Sequence, residues 1–220
     1  MSDVPPARIL LRPLGSPLTA GMAGLSIASL IQSGVELQWT ATTQTAQAGL
    51  ILIAVPFVLQ LVACVLSYLG RDGATGAAVG VLSTTWLGIG LVHLTAPPGA
   101  TSGPLGLLLL AAGSVLALTA AVLATEKGVP AMVFGVAAVR FLVAGVYQLS
   151  GVVVWEHAAG ILGLLVCAMA GYAVLAFELE GQHGRAVLPT VRRGWAAHAI
   201  SEPDLDPEQL AREPGVRGSL

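Results

Sequence analysis

The stretch Pro104–Leu149, PLGLLLLAAGSVLALTAAVLATEKGVPAMVFGVAAVRFLVAGVYQL, holds two long apolar runs joined by the short charged turn Glu126-Lys127-Gly128. A helix rises about 1.5 Å per residue, so roughly 20 apolar residues cover about 30 Å of hydrocarbon. Both runs have that length, and Pro104 and Pro130 stand at their starts, where a missing N–H costs nothing. Two membrane-spanning helices connected by a tight turn are therefore expected here. Working outward, four more stretches qualify: Pro17–Gly34, Gln47–Leu69, Thr75–Leu94 and His157–Phe177. Breaks fall between them at Gly70-Arg71-Asp72-Gly73 and Ala96-Pro97-Pro98-Gly99. The fold class predicted is an all-α bundle of six transmembrane helices, preceded by residues 1–16 and followed by a C-terminal segment, 179–220.

Composition agrees. Of 220 residues, 55% are hydrophobic and only 10% charged, against about a quarter in a soluble domain. The 27 glycines suit helices that approach closely in lipid, where small residues permit backbone contact. The net charge of -2 comes from Glu202, Asp204, Asp206, Glu208 and Glu213 near the end of the chain. That polar, Pro- and Gly-containing tail is expected to be disordered after about residue 190. Arg8 and Arg12 precede the first span, which also raises a signal peptide, but no small-x-small cleavage site follows it.

Basic residues set the expected orientation. Arg8, Arg12, Arg71, Lys127, Arg185, Arg192 and Arg193 all fall in the terminal segments and the alternate loops between them, whereas residues 35–46, 95–103 and 150–156 contain no Lys or Arg. Cytoplasmic loops collect Lys and Arg, so both termini are expected inside.

No catalytic constellation is present: no G-x-S-x-G, no phosphate loop and no metal-ligand spacing. Cys64 and Cys167 read as small buried hydrophobes. Neither an enzymatic activity nor a cofactor, metal or nucleic-acid partner is expected; the partners expected are the lipid bilayer and small solutes.

Arg140 is the exceptional residue. It lies ten residues past Pro130, roughly 15 Å into the bilayer, where a central Arg costs about 2.5–3.5 kcal/mol on insertion scales. Glu36 and Glu156 fall in the outer loops by position, and Asp72, Glu126 and Glu178 in the inner ones, so no resident carboxylate is expected at its depth. Such a cation is served by backbone carbonyls, by water or by a visiting carboxylate. On this reading Arg140→Leu removes a residue costly in lipid and leaves folding intact. Ser26, Gln60, Thr84 and Thr85 lie at similar depth, and Tyr147 returns to the face of Arg140 with Gln148 beside it. These are the candidate path residues, although Ser and Thr in such helices commonly bond their own backbone. His93 and Glu156-His157 are placed at the outer mouth, where a proton-sensing cluster is one reading and hydrated lip residues the other. Gly76, Gly80, Gly160 and Gly163 have spacings suited to close helix contact.

Three segments carry a resemblance. His157-Ala-Ala-Gly160-Ile-Leu-Gly163 is followed by Tyr172-Ala-Val-Leu-Ala176 and by Gly184-Arg185-Ala-Val187-Leu188-Pro189. Near the start stand Ser16-Pro17-Leu18 and Gly24-Leu25-Ser26, and Gln60-Leu-Val-Ala63 and Trp86 lie between. This order resembles the acetate/succinate permease family, the acetate uptake transporters of bacteria and fungi. Its last helix carries H-x-x-G-x-x-G, its tail G-R-x-V-L-P, and its first helix an N-P-A-P-L-G-L signature. The resemblance implies a channel or transporter for acetate or other short-chain carboxylate anions, proton-coupled, in the cell membrane and assembled as a homo-hexamer. Departures mark a divergent member. Leu14, Thr19 and Ala23 stand where the signature has Asn, Gly and Phe, Leu82 replaces an aromatic, and Ser67 a Glu. Since aromatics narrow the pore in that family, a non-transporting accessory or sensor protein that keeps the bundle is the alternative.

Overall fold

The computed structural model describes residues 16–183 and 185–193. Arg8, Arg12, Leu14, Gly184 and the acidic tail lie outside the described residues. Among the described residues, six helices are long and apolar enough to cross a membrane: α1 (Pro17–Glu36), α2 (Thr42–Leu69), α3 (Gly73–Thr95), α4 (Gly103–Leu123), α5 (Gly128–Ser150) and α6 (Val153–His183). The chain is a multi-pass membrane protein, and its all-helical bundle is the predicted fold class.

Local chemistry places the helix ends. The Asp72 carboxylate caps α3 by accepting from the Thr75 N–H at 3.2 Å, and Ser102 caps α4. α5 stops at Gly151, whose φ of +70° gives the left-handed turn that starts α6 two residues later. Pro56 interrupts α2, and the helix widens into a π-helical stretch over Ile53–Phe57. That widening accommodates the missing N–H, and the Ser83 hydroxyl donates to the Phe57 carbonyl at 3.0 Å.

The helices form a ring. Each packs on its neighbours in sequence, and α6 closes on α1. We call the end where α1 finishes the distal end and the other the proximal end. Leu61, Val62 and Val65 on α2, Leu118 and Val122 on α4, and Ile161, Leu165 and Leu175 on α6 are exposed, an apolar belt suited to lipid. The interior is apolar too, including Met22, Leu25, Leu82, Trp86, Leu116, Phe134 and Phe141.

The glycines expected to permit close helix contact do so within the chain: a Cβ at Gly76 would meet the Tyr68 ring at 2.9 Å, one at Gly80 the Cys64 sulfur at 2.9 Å, and one at Gly160 the Leu37 side chain at 2.7 Å. They are therefore not free for contacts between copies. The C-terminal segment also remains organised beyond residue 178. α6 runs to His183, and residues 185–193 lie back across the proximal end as a strap. There the Tyr172 hydroxyl donates to the Pro189 carbonyl at 3.0 Å, the Gly128 N–H to the Val191 carbonyl at 2.9 Å, and the Arg193 N–H to the Glu126 carbonyl at 2.9 Å. Arg192 pairs with Glu180, and Lys127 with Asp72. Burial raises the Asp72 carboxyl, but the hydrogen bond and charge of Lys127, with the bonds from Thr75, outweigh it and hold the group below its ordinary value.

Candidate functional site

α1 does not reach as far as its neighbours. A Cβ built on Gly160 would sit 3.2 Å from the Glu36 Cβ, so the end of α1 lies level with Gly160. Gly160 is seven residues into α6, about 10 Å below that helix's start. The short α1 and the loops at residues 37–44 and 96–102 leave a vestibule of about 670 Å³ open at the distal end. Its polar lining includes Gln32 and Glu36 from α1, Thr42 and Thr45 from α2, His93 from α3, Arg140, Tyr147 and Gln148 from α5, and Glu156 from α6.

At its base Arg140 meets Glu36. One guanidinium nitrogen of Arg140 lies 3.2 Å from each oxygen of the Glu36 carboxylate, with side-chain exposures of 1% and 6%. This corrects the expectation that Arg140 has no resident anion. α1 continues two residues past Gly34, and a long Arg side chain leaves the depth of its own Cα. The same guanidinium stands 5.5 Å from the centroids of both Trp86 and Phe141, whose rings are 5.4 Å apart and inclined at 57°. Gln32 braces the pair: its amide donates to Glu36 at 3.2 Å and its carbonyl oxygen meets His93 Nε2 at 2.9 Å.

Donors remain unused around this base. Among the described residues, Arg140 Nε, Trp86 Nε1 and the Ser33 hydroxyl are buried there without a hydrogen-bond partner. Buried polar groups are normally satisfied, so a cluster of idle donors beside a guanidinium suits an anion or water. A Cβ on Gly163 would come within 2.6 Å of Arg140 Nε and also crowd the Ser33 hydroxyl, so Gly163 is where the Arg140 side chain passes α6. Toward the proximal end the interior is closed: Met22 and Leu25 precede Ser29 along α1, Leu82 precedes Trp86 along α3, Phe134 precedes Arg140 along α5, and all four are fully buried.

Arg140, Tyr147 and Gln148 thus share the vestibule. Gln148 also accepts from the Ser102 N–H at 2.8 Å, and Tyr147 faces Glu156 across the wall. The other candidate path residues lie elsewhere. The Ser26 hydroxyl donates to the Cys167 carbonyl at 3.0 Å, tying α1 to α6, and the Gln60 amide to the Gly21 carbonyl at 3.1 Å, tying α2 to α1. Thr85 bonds the Val81 carbonyl of its own helix, and Thr84, exposed, bonds the Gly80 and Val81 carbonyls. Pro17 and Leu18 open α1 with Leu18 buried. Of the mouth residues, His93 and Glu156 line the vestibule, while His157 is exposed at the start of α6. Arg185 is exposed on the strap. Gln32 and Ser33 escaped the sequence reading, and Glu36 was read as an outer-loop residue; the one signal against that was the i, i+4 Gln–Glu pair that α1 carries at its end.

No family model and no curated protein matches the sequence. Among solved structures, the bacterial acetate channel SatP is similar, with a TM-score of 0.71 over 80% of this chain and 99% of that one. Only 23% of residues are identical, so the likeness is one of architecture. This chain has the fold of that channel, with a buried charge pair at the base of its distal vestibule.

Proposed function

We propose that the protein is a membrane channel or transporter for small carboxylate anions of the acetate type, coupled to protons. The observation carrying this is the base of the vestibule, where a guanidinium and two further idle donors, the Trp86 indole N–H and the Ser33 hydroxyl, lie buried together in the fold of an acetate channel. Arg presents a planar fork matched to a carboxylate, and the low dielectric of the surroundings strengthens that attraction. Trp86 and Phe141, packed on the guanidinium, form the narrowing in this reading, in place of the aromatics missing at Ala23 and Leu82. The test is uptake of labelled acetate into vesicles containing the purified protein at neutral pH, with the leakage of neutral acetic acid measured in empty vesicles and subtracted. Uptake should exceed that of empty vesicles and be competed by other short-chain carboxylates. A rate equal to the empty vesicles would support the second reading, a non-transporting accessory or sensor protein. That reading draws on the fact that Glu36 already occupies Arg140.

In the same reading both termini are cytoplasmic, so the vestibule opens outward, and copies assemble as a homo-hexamer in the cell membrane. The orientation follows from the basic residues Arg71 and Lys127 at the proximal turns and their absence from the distal loops. Single cysteines introduced at Ala100 and at Glu126 should react with an impermeant maleimide from opposite faces, Ala100 from outside. Labelling of both from one face would overturn the orientation.

A further inference from the structure

The vestibule is arranged against anions as long as its carboxylates are ionised. Glu36 and Glu156 set two negative charges against the single guanidinium of Arg140. Glu36 also holds the place a substrate carboxylate needs, with both oxygens on Arg140. If an anion displaced it without compensation, a buried site would hold two carboxylates facing one cation. Burying an unpaired charge is far costlier than changing its protonation state.

The groups facing Glu36 allow one economical solution. From α5 it meets Arg140 and, at longer range, Tyr147; from α6 the charge of Glu156; on its own helix Gln32; and from α3 His93, through Gln32. α2 offers the hydroxyls of Thr42 and Thr45, and α4 the apolar Leu105 and Leu109. A neutral Glu36 keeps a partner after losing Arg140, because its protonated carboxyl and the Gln32 amide remain within hydrogen-bond reach. Water in the vestibule can supply the proton, since Glu36 lines it.

We propose that Glu36 is the proton carrier of this site: a substrate carboxylate replaces it on Arg140 while Glu36 takes one proton from the vestibule, so that anion and proton enter the buried centre together. The balance is simple. The ion pair Arg140⁺–Glu36⁻ plus a carboxylate and a proton gives Arg140⁺–carboxylate plus neutral Glu36, and the net charge of the centre does not change. This rests on the carboxylate reading above and assigns its coupling to one residue.

Calorimetric titration of the purified full-length protein with acetate, in two buffers of different ionisation enthalpy, counts protons taken up per anion bound. The wild type should take up close to one proton per acetate at neutral pH, with affinity falling about tenfold per pH unit. Glu36→Gln should bind acetate with no proton uptake and with affinity independent of pH. In the wild type, infrared difference spectra on adding isotopically labelled acetate should show a new protonated-carboxyl C=O band, which needs no variant. Acetate binding without proton uptake or without that band overturns the proposal and leaves the carboxylate reading standing, as does an unchanged proton count in a folded Glu36→Gln protein. Absence of acetate binding by the wild type at every pH overturns both.

Discussion

Arg140→Leu should lower the stability of the purified protein by about 3–5 kcal/mol, the usual cost of stranding one member of a buried ion pair. The sequence alone suggests the reverse, because a central Arg is costly in lipid. The structure changes the sign: Glu36, only 6% exposed, would be left as an uncompensated buried carboxylate. The rings of Trp86 and Phe141 would also lose their cation, worth about 0.5–2 kcal/mol per contact. Pairing the change with Glu36→Gln removes the stranded charge, so the double variant should regain most of the loss. Carboxylate uptake should stay at background in both, because neither retains a cation at the base. Arg140→Lys should keep part of the uptake, having a charge but no planar fork. Thermal unfolding and uptake measured on the same preparations separate these outcomes. A single Leu variant as stable and as active as the parent would remove Arg140 from both roles.

The second large effect is expected at Gly163. Any side chain there meets Arg140 Nε at 2.6 Å and crowds Ser33, so even Gly163→Ala must push α1 from α6 or move the guanidinium. Overpacking of this kind costs about 1–3 kcal/mol for a methyl group, and Gly163→Leu should prevent a stable fold. Gly135 supplies the comparison. It lies within α5 with nothing inside 4 Å of a built Cβ, so Gly135→Ala should be neutral or gain up to about 1 kcal/mol from helix propensity. Unfolding midpoints of the two alanine variants should therefore move apart. Equal midpoints would mean that the α1–α6 contact tolerates a side chain, and the account of Gly163 would fail.

Length, apolarity and turn residues made the six helices legible, because a span in lipid must satisfy its backbone internally. Arg140 was legible for the same reason, as a charge where lipid disfavours one. Its partner was not. Depth counted along the chain treats helices as rods starting at one level, whereas α1 ends about 10 Å below the start of α6. Ser26, Gln60, Thr84 and Thr85 failed as vestibule residues for another reason. Their depth was computable, but the side of the helix on which each stands was not. In a membrane bundle the lipid-facing and core-facing sides are both apolar, so the period that marks a buried face in water is faint. Exposed Thr84 and buried Thr85, adjacent in sequence, show how little the pattern distinguishes.

The closed ring also fixes an order of events during synthesis. Glu36 is made first and Arg140 follows 104 residues later, so the acid waits at the end of α1 while three helices enter the membrane. When α5 arrives with its costly cation, an anion is already in place to receive it. α6, the last to emerge, carries Gly160 and Gly163, the two surfaces against which the end of α1 and the arginine settle. A nascent chain stopped at Ser150 would possess both charges but lack the wall that buries them. Completion of the final helix is thus the step that turns a solvated salt bridge into a buried one.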